Sequence, residues 1–150
     1  MILKHEAVRI LSAVSSKKRL FQDLGAIAES VYGIDHTEAI DALQERESLG
    51  ATGVGHGVAL PHARIASLTD VVGVMTVLNK PIAFGAVDRQ PVDLVFSLFA
   101  PGDAGVEHLK ALALMSRTFR NTSLCAKLRA NRDPATLYTI MTEAQAVQAA

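Results

Sequence analysis

Apolar positions along the chain change their period twice. From Lys17 to Tyr32 they fall at Leu20, Phe21, Leu24, Ile27, Ala28 and Val31, the spacing of a helix with one buried face. Gly33 supplies a stop, and Asp35 with Glu38 forms a capping-box pattern ahead of Ala39, Ile40 and Leu43. A second helix is therefore expected from Asp35 to near Leu49, closed by Gly50 in the left-handed conformation. The first third of the chain thus reads as helix. In the middle, Val71 to Leu78 and Val92 to Phe99 are rich in β-branched and apolar residues, predicting two strands covered on both faces. Pro81 to Phe84 predicts a short or edge strand before a turn at Asp88 to Pro91. Val54 to Leu60 predicts another, its limits blurred by Gly53, Gly55 and Gly57. Helical spacing returns at Val106 to Phe119, a shorter helix follows Asn121, and Asp133-Pro134 opens a last one with Leu137, Ile140 and Met141 inward. Helices before and after a sheet make a layered α/β domain.

Length and composition narrow this. A chain of 150 residues fits one domain, taken here as 1–150, and half of it is apolar with few aromatics and no tryptophan. The core is then built from Ala, Val, Leu and Ile. Fifteen basic residues balance fifteen acidic ones, so the footprint of a nucleic-acid binder is missing, and Lys17, Lys18 and Arg19 read as a solvated helix start. Cys125 is the one cysteine; its apolar-patterned setting predicts a buried, inert thiol in a reducing compartment. The N-terminus lacks a signal-peptide layout and no apolar run reaches membrane-span length, so a cytoplasmic location is expected by default. The alanine-rich stretch from Ala144 to Ala150 reads as a fraying helix end.

The unusual segment runs from Gly50 to Arg64, with glycines at 50, 53, 55 and 57 leading into Val58-Ala59-Leu60-Pro61-His62. Proline cannot continue a central ladder, so the chain is expected to leave the sheet there and hold His62 on a rigid rim. The segment lacks the Lys-Ser/Thr ending of a nucleotide-binding loop. On spacing alone His62 is a candidate that competes with a structural histidine. Arg46 reads equally as a surface helix arginine, and His108 as a helix residue facing solvent or capping a neighbour.

Thr52 to His62 resembles the phosphorylation motif of enzyme IIA proteins of the bacterial phosphoenolpyruvate-dependent phosphotransferase system, in the fructose/mannitol class and especially its nitrogen-regulatory branch. The likeness extends to Glu45 to Gly50, Pro81 to Phe84, Asp88 to Leu94 and Glu107-His108-Leu109, covering about residues 15–142. It implies a central mixed β-sheet flanked by helices. It also implies that His62 is the phosphorylated histidine, that His108 lies near the phosphate and that Arg46 stabilises the anion. Thr52, Gly53 and His56 are further phosphate-binding candidates, with glycine-segment amides as an anion nest. These roles suit the chemistry: a neutral imidazole is nucleophilic near neutral pH, and a moving phosphoryl group needs positioned donors. His56 stands where many relatives carry asparagine, and either replaces one polar group by another or adds a titratable group near the phosphate. Ala63 for glycine and Arg64 for lysine look minor.

The function implied is a phosphocarrier that takes its group from an HPr-like phosphohistidine protein, needs no cofactor or metal, and regulates clients such as sensor kinases or potassium-uptake components. A sugar-specific enzyme IIA handing phosphate to a fructose or mannitol enzyme IIB is the neighbouring alternative. A metal-dependent hydrolase built on His56, His62 and His108 is a remote one, since no ligand spacing of a known zinc framework is present. A binding module without covalent chemistry is the last.

Overall fold

The computed structural model describes residues 2–149. Six strands form one mixed sheet: β1 (Leu3–Leu11), β2 (Gly53–Gly55), β3 (Val58–Ala59), β4 (His62–Ile65), β5 (Val72–Ile82) and β6 (Val92–Pro101). The order is β1-β5-β6-β3-β2, with β4 also on β6. β1 runs parallel to β5, and β3 and β4 run parallel to β6, while β5/β6 and β2/β3 are antiparallel. Val74, Met75, Thr76, Val77 and Leu78 on β5, and Leu94 to Ala100 on β6, are all buried in succession. Such runs arise when both faces of a strand are covered, as their composition predicts.

Five helices flank the sheet: α1 (Lys17–Tyr32), α2 (His36–Ser48), α3 (Val106–Phe119), α4 (Thr122–Ala130) and α5 (Pro134–Ala149). Their starts follow the capping signals. Ser16 accepts from the Arg19 amide, Asp35 from Glu38, Asn121 from Leu124 and Asp133 from Thr136. Gly33, at φ 71°, closes α1 in the left-handed region. In the expected helix-end stretch, α5 reaches Ala149 and Ala150 lies outside the described residues. No described helix is long and apolar enough to cross a membrane.

Three expectations are corrected. The first third is not all helix, because Leu3–Leu11 forms the outer strand β1. Gly50 does not close α2 in the left-handed conformation; Leu49 is the C-cap in αR geometry, and the Leu49 and Gly50 amides reach back to the carbonyls of Arg46 and Glu47. These three-residue steps tighten the last turn in 3₁₀ fashion. Pro81 and Ile82 do not begin a separate strand but end β5 beyond a register shift between Val77 and Ile82.

Candidate active site

The chain also does not leave the sheet at Pro61. Val58 pairs with Leu94, Ala59 with Val95 and His62 with Leu98, all in one register along β6. Pro61 interrupts the line between β3 and β4, lacking an N–H, yet its carbonyl still accepts from the Leu98 amide at 2.9 Å. His62 is therefore the first residue of β4, half-buried beside the end of α2.

Two hydrogen bonds fix its tautomer. Nδ1 lies 3.0 Å from the Leu60 carbonyl, which only accepts, so Nδ1 carries the proton. Nε2 accepts from Arg46 Nε at 3.1 Å, so it holds the lone pair. The ring is neutral, and its nucleophilic nitrogen is Nε2. Arg46 is itself steadied by Nη1 donating to the Gly50 carbonyl at 2.9 Å.

His108, on α3, stands with its ring centroid 5.4 Å from that of His62. It is 6% exposed, and its Nδ1 is buried without a partner. An orphaned buried N–H is rarer than an orphaned acceptor, so the proton belongs on Nε2. Ala42, Glu45, Arg46, Leu49, His62, Ala63, Arg64 and His108 line a cleft of about 360 Å³. A neutral nucleophile, a neutral imidazole donor and two guanidinium groups thus share one open cleft.

Burial pushes the pKa of His62 below 6.5; the Arg46 charge adds to this, while the Leu60 bond and Glu47 oppose it. Burial likewise lowers that of His108, followed by the charges of His62 and Arg64. Both folded values lie below the ordinary one, so the folded state binds fewer protons than the unfolded chain near pH 6. The stability these rings contribute is present above pH 6.5 and is lost as pH falls through the lowered folded values.

Three expected site residues lie elsewhere. Thr52 donates its amide and hydroxyl to the Glu47 carboxylate at 3.0 and 2.7 Å, and Lys17 Nζ binds the same carboxylate at 3.0 Å. This knot joins α1 and α2 to the residue ahead of β2, and none of its three side chains lines the cleft. Gly53 lies against Ala86, where a Cβ would come within 2.7 Å of the Ala86 methyl. His56 and Gly57, at φ 56° and 78°, form the two-residue turn between β2 and β3, the arrangement of a type I′ hairpin. His56 is exposed; its amide donates to Asp88 and its carbonyl accepts from Arg129. The glycine segment is thus a hairpin, and the His56 amide is committed to Asp88 rather than to an anion nest. Asparagine and histidine both tolerate the left-handed region, which accounts for His56 in a place where asparagine is frequent. His56, His62 and His108 do not come together as metal ligands; among the described residues the one such group is Glu29, Asp35 and His36, exposed where α1 meets α2.

The His62 imidazole is expected to stay neutral below pH 6.5, gaining its second proton only as pH drops through the lowered pKa. An NMR titration of the ring checks this, and His56→Asn should leave the curve unchanged.

Comparison with known proteins places this geometry. The sequence model described as "Phosphoenolpyruvate-dependent sugar phosphotransferase system, EIIA 2" matches residues 1–144. The chain belongs to this EIIA family. It is 43% identical over 136 residues to the nitrogen regulatory protein of Bradyrhizobium diazoefficiens, covering 91% of this chain and 89% of that one. The crystal structure of nitrogen regulatory protein IIA-Ntr from Neisseria meningitidis superposes with a TM-score of 0.86 at 34% identity, covering 93% and 95% of the two chains. IIA mannitol from Escherichia coli shares the fold, with a TM-score of 0.77 at 16% identity over 97% and 99%. An EIIA protein is a phosphoryl-transfer component of the phosphotransferase system, and the nitrogen-regulatory resemblance read from the motif is borne out. The family match begins at residue 1 rather than near 15, in keeping with a sheet that includes β1.

Proposed function

We propose that the chain is a nitrogen-regulatory phosphocarrier that accepts a phosphoryl group on His62 Nε2 from an HPr-like phosphohistidine protein. The observation that carries this is the neutral tautomer of His62, whose lone pair lies at Nε2 in the cleft that Arg46 and His108 also line. As the donor's N–P bond breaks, the Nε2–P bond forms. Positive charge gathers on the imidazole, and the Nδ1–H bond to Leu60 strengthens with it. Arg46 Nε–H moves from the ring nitrogen to a phosphoryl oxygen, and His108 Nε2–H donates to another. A protein donor suits the surroundings, because the large apolar side chain of Leu49 is exposed on the cleft beside Arg46. The name carried by the similar relatives supports a regulatory role, in which the phosphorylation state selects clients such as sensor kinases or potassium-uptake components.

The test is incubation with phosphoenolpyruvate, enzyme I and the HPr-like carrier. One phosphoryl group per chain is expected, acid-labile and base-stable, with ³¹P–¹⁵N coupling to Nε2 rather than Nδ1 of a histidine. Failure to label with competent donors would overturn the carrier reading. Rapid onward transfer to a fructose or mannitol enzyme IIB would move it to sugar uptake.

A further inference from the structure

Arg64 is the second cation on the cleft, and phosphoryl acceptance at His62 as proposed does not use it. The burial of β4 alternates, with Ala63 and Ile65 inside and His62 and Arg64 toward the outer face. Residues two apart on a strand share a face about 6.6 Å apart along the chain, so Arg64 stands next to His62 on the same side. Arg46 approaches from α2 instead.

Arg64 spends one hydrogen bond on the protein. Its Nη1 donates to the Gly102 carbonyl at 3.1 Å, in the turn between β6 and α3. That bond draws the guanidinium toward the helix that carries His108, and its charge helps to lower the pKa of that ring. A guanidinium has five N–H donors, so most of its donors stay uncommitted. Among the described residues no carboxylate pairs with Arg64, nor with Arg46. Glu45, also on the cleft, forms no ion pair there either. Two unpaired guanidinium groups therefore share a cleft with one nucleophilic imidazole, an arrangement suited to an incoming dianion rather than to the folded protein's own charges.

We propose that Arg64 is a second phosphate-contacting residue, clamping the phosphoryl group of His62 from the β4 side while Arg46 holds it from the α2 side. The proposal rests on phosphoryl acceptance at His62 and deepens it. Its chemistry requires the charge and reach of Arg64, and it makes the Gly102 turn part of the support of the site.

The experiment separates contact with phosphate from contact with a protein donor. Wild type, R64Q and R64K are phosphorylated either by the HPr-like carrier or by phosphoramidate, a small donor whose P–N bond breaks with loss of ammonia as the Nε2–P bond forms. R64Q is expected to slow acceptance from both donors by on the order of ten- to a hundred-fold, the worth of one charge-assisted hydrogen bond. R64K should recover much of the loss, and thermal melting should show all three folded. Slowing with the protein donor alone would make Arg64 a docking residue and overturn the proposal, as would unchanged rates with both. If R64Q does not fold, the R64K rate decides: a few-fold deficit with phosphoramidate supports the clamp, and full wild-type rates with both donors overturn it. Wild type that accepts from neither donor would instead sink the phosphohistidine reading itself.

Discussion

Replacing His62 by alanine is expected to abolish phosphoryl acceptance while leaving the fold intact. The loss is complete because no other group turns an unprotonated nitrogen to the cleft: the unprotonated Nδ1 of His108 is buried, and the arginines are always charged. The structural cost is small, since His62 is half-buried on a strand with an open side. The Arg46 Nε that it leaves lines an open cleft and finds water, and the Leu60 carbonyl loses one hydrogen bond, a net cost of about 1 kcal/mol. A stability change within about 1 kcal/mol is expected, measurable by thermal or urea unfolding, alongside a labelling assay that reads zero. Persistent labelling of His62→Ala would assign the phosphoryl group to another residue, with His108 the first to examine.

Arg46→Gln is expected to lower the acceptance rate by about 10²- to 10³-fold, the usual cost of removing a donor aimed at developing charge. It should also carry a second signature. Arg46 is one of the groups holding the pKa of His62 below its ordinary value. Without that charge the pKa rises, so the pH at which acceptance falls away moves upward. A variant damaged only in its fold would lose rate at every pH without that displacement. Arg46→Lys restores charge but not the fork that binds His62 and Gly50 together, and should recover the pH profile better than the rate.

Much of this fold is legible in the sequence alone. The α1 stop at Gly33 and the caps at Asp35, Asn121 and Asp133 are local events, decided by a few neighbouring side chains. β5 and β6 announced themselves because a strand covered on both faces needs an unbroken apolar run. β1 did not, and its residues show why: Lys4, His5 and Glu6 are exposed in succession, and the pairing with β5 shifts register between Leu3 and Val8. Neither period survives such a break. The Gly50 expectation failed because a helix can also close by tightening its last turn.

The site divides along similar lines. The motif at His62 is contiguous, so its resemblance is strong. Arg46 and His108 reach the same cleft from separate helices, and only the family pattern connects them to His62 in sequence. Thr52 and His56 sit within the motif, yet the hydroxyl of Thr52 belongs to Glu47 and the backbone of His56 to a turn. Arg64 was readable in principle. A strand beginning at His62 puts residue 64 on the same face, whereas a chain that leaves the sheet at Pro61 sets no facing for it.

The shared register of β3 and β4 on β6 has a consequence for how this protein tolerates changes in length. At Val58 and Ala59, and again from His62 to Ile65, each residue's facing is set by its partner on β6. Losing or gaining one residue between Ala59 and His62 would reverse every facing downstream, turning the imidazole toward the core and offering the methyl group of Ala63 to the cleft. Surface segments such as Ala66 to Asp70 carry no such counting rule. The nucleophile is held by an arithmetic of spacing as much as by its own bonds, and a gene acquiring a one-codon deletion there would keep most of its core and lose its chemistry.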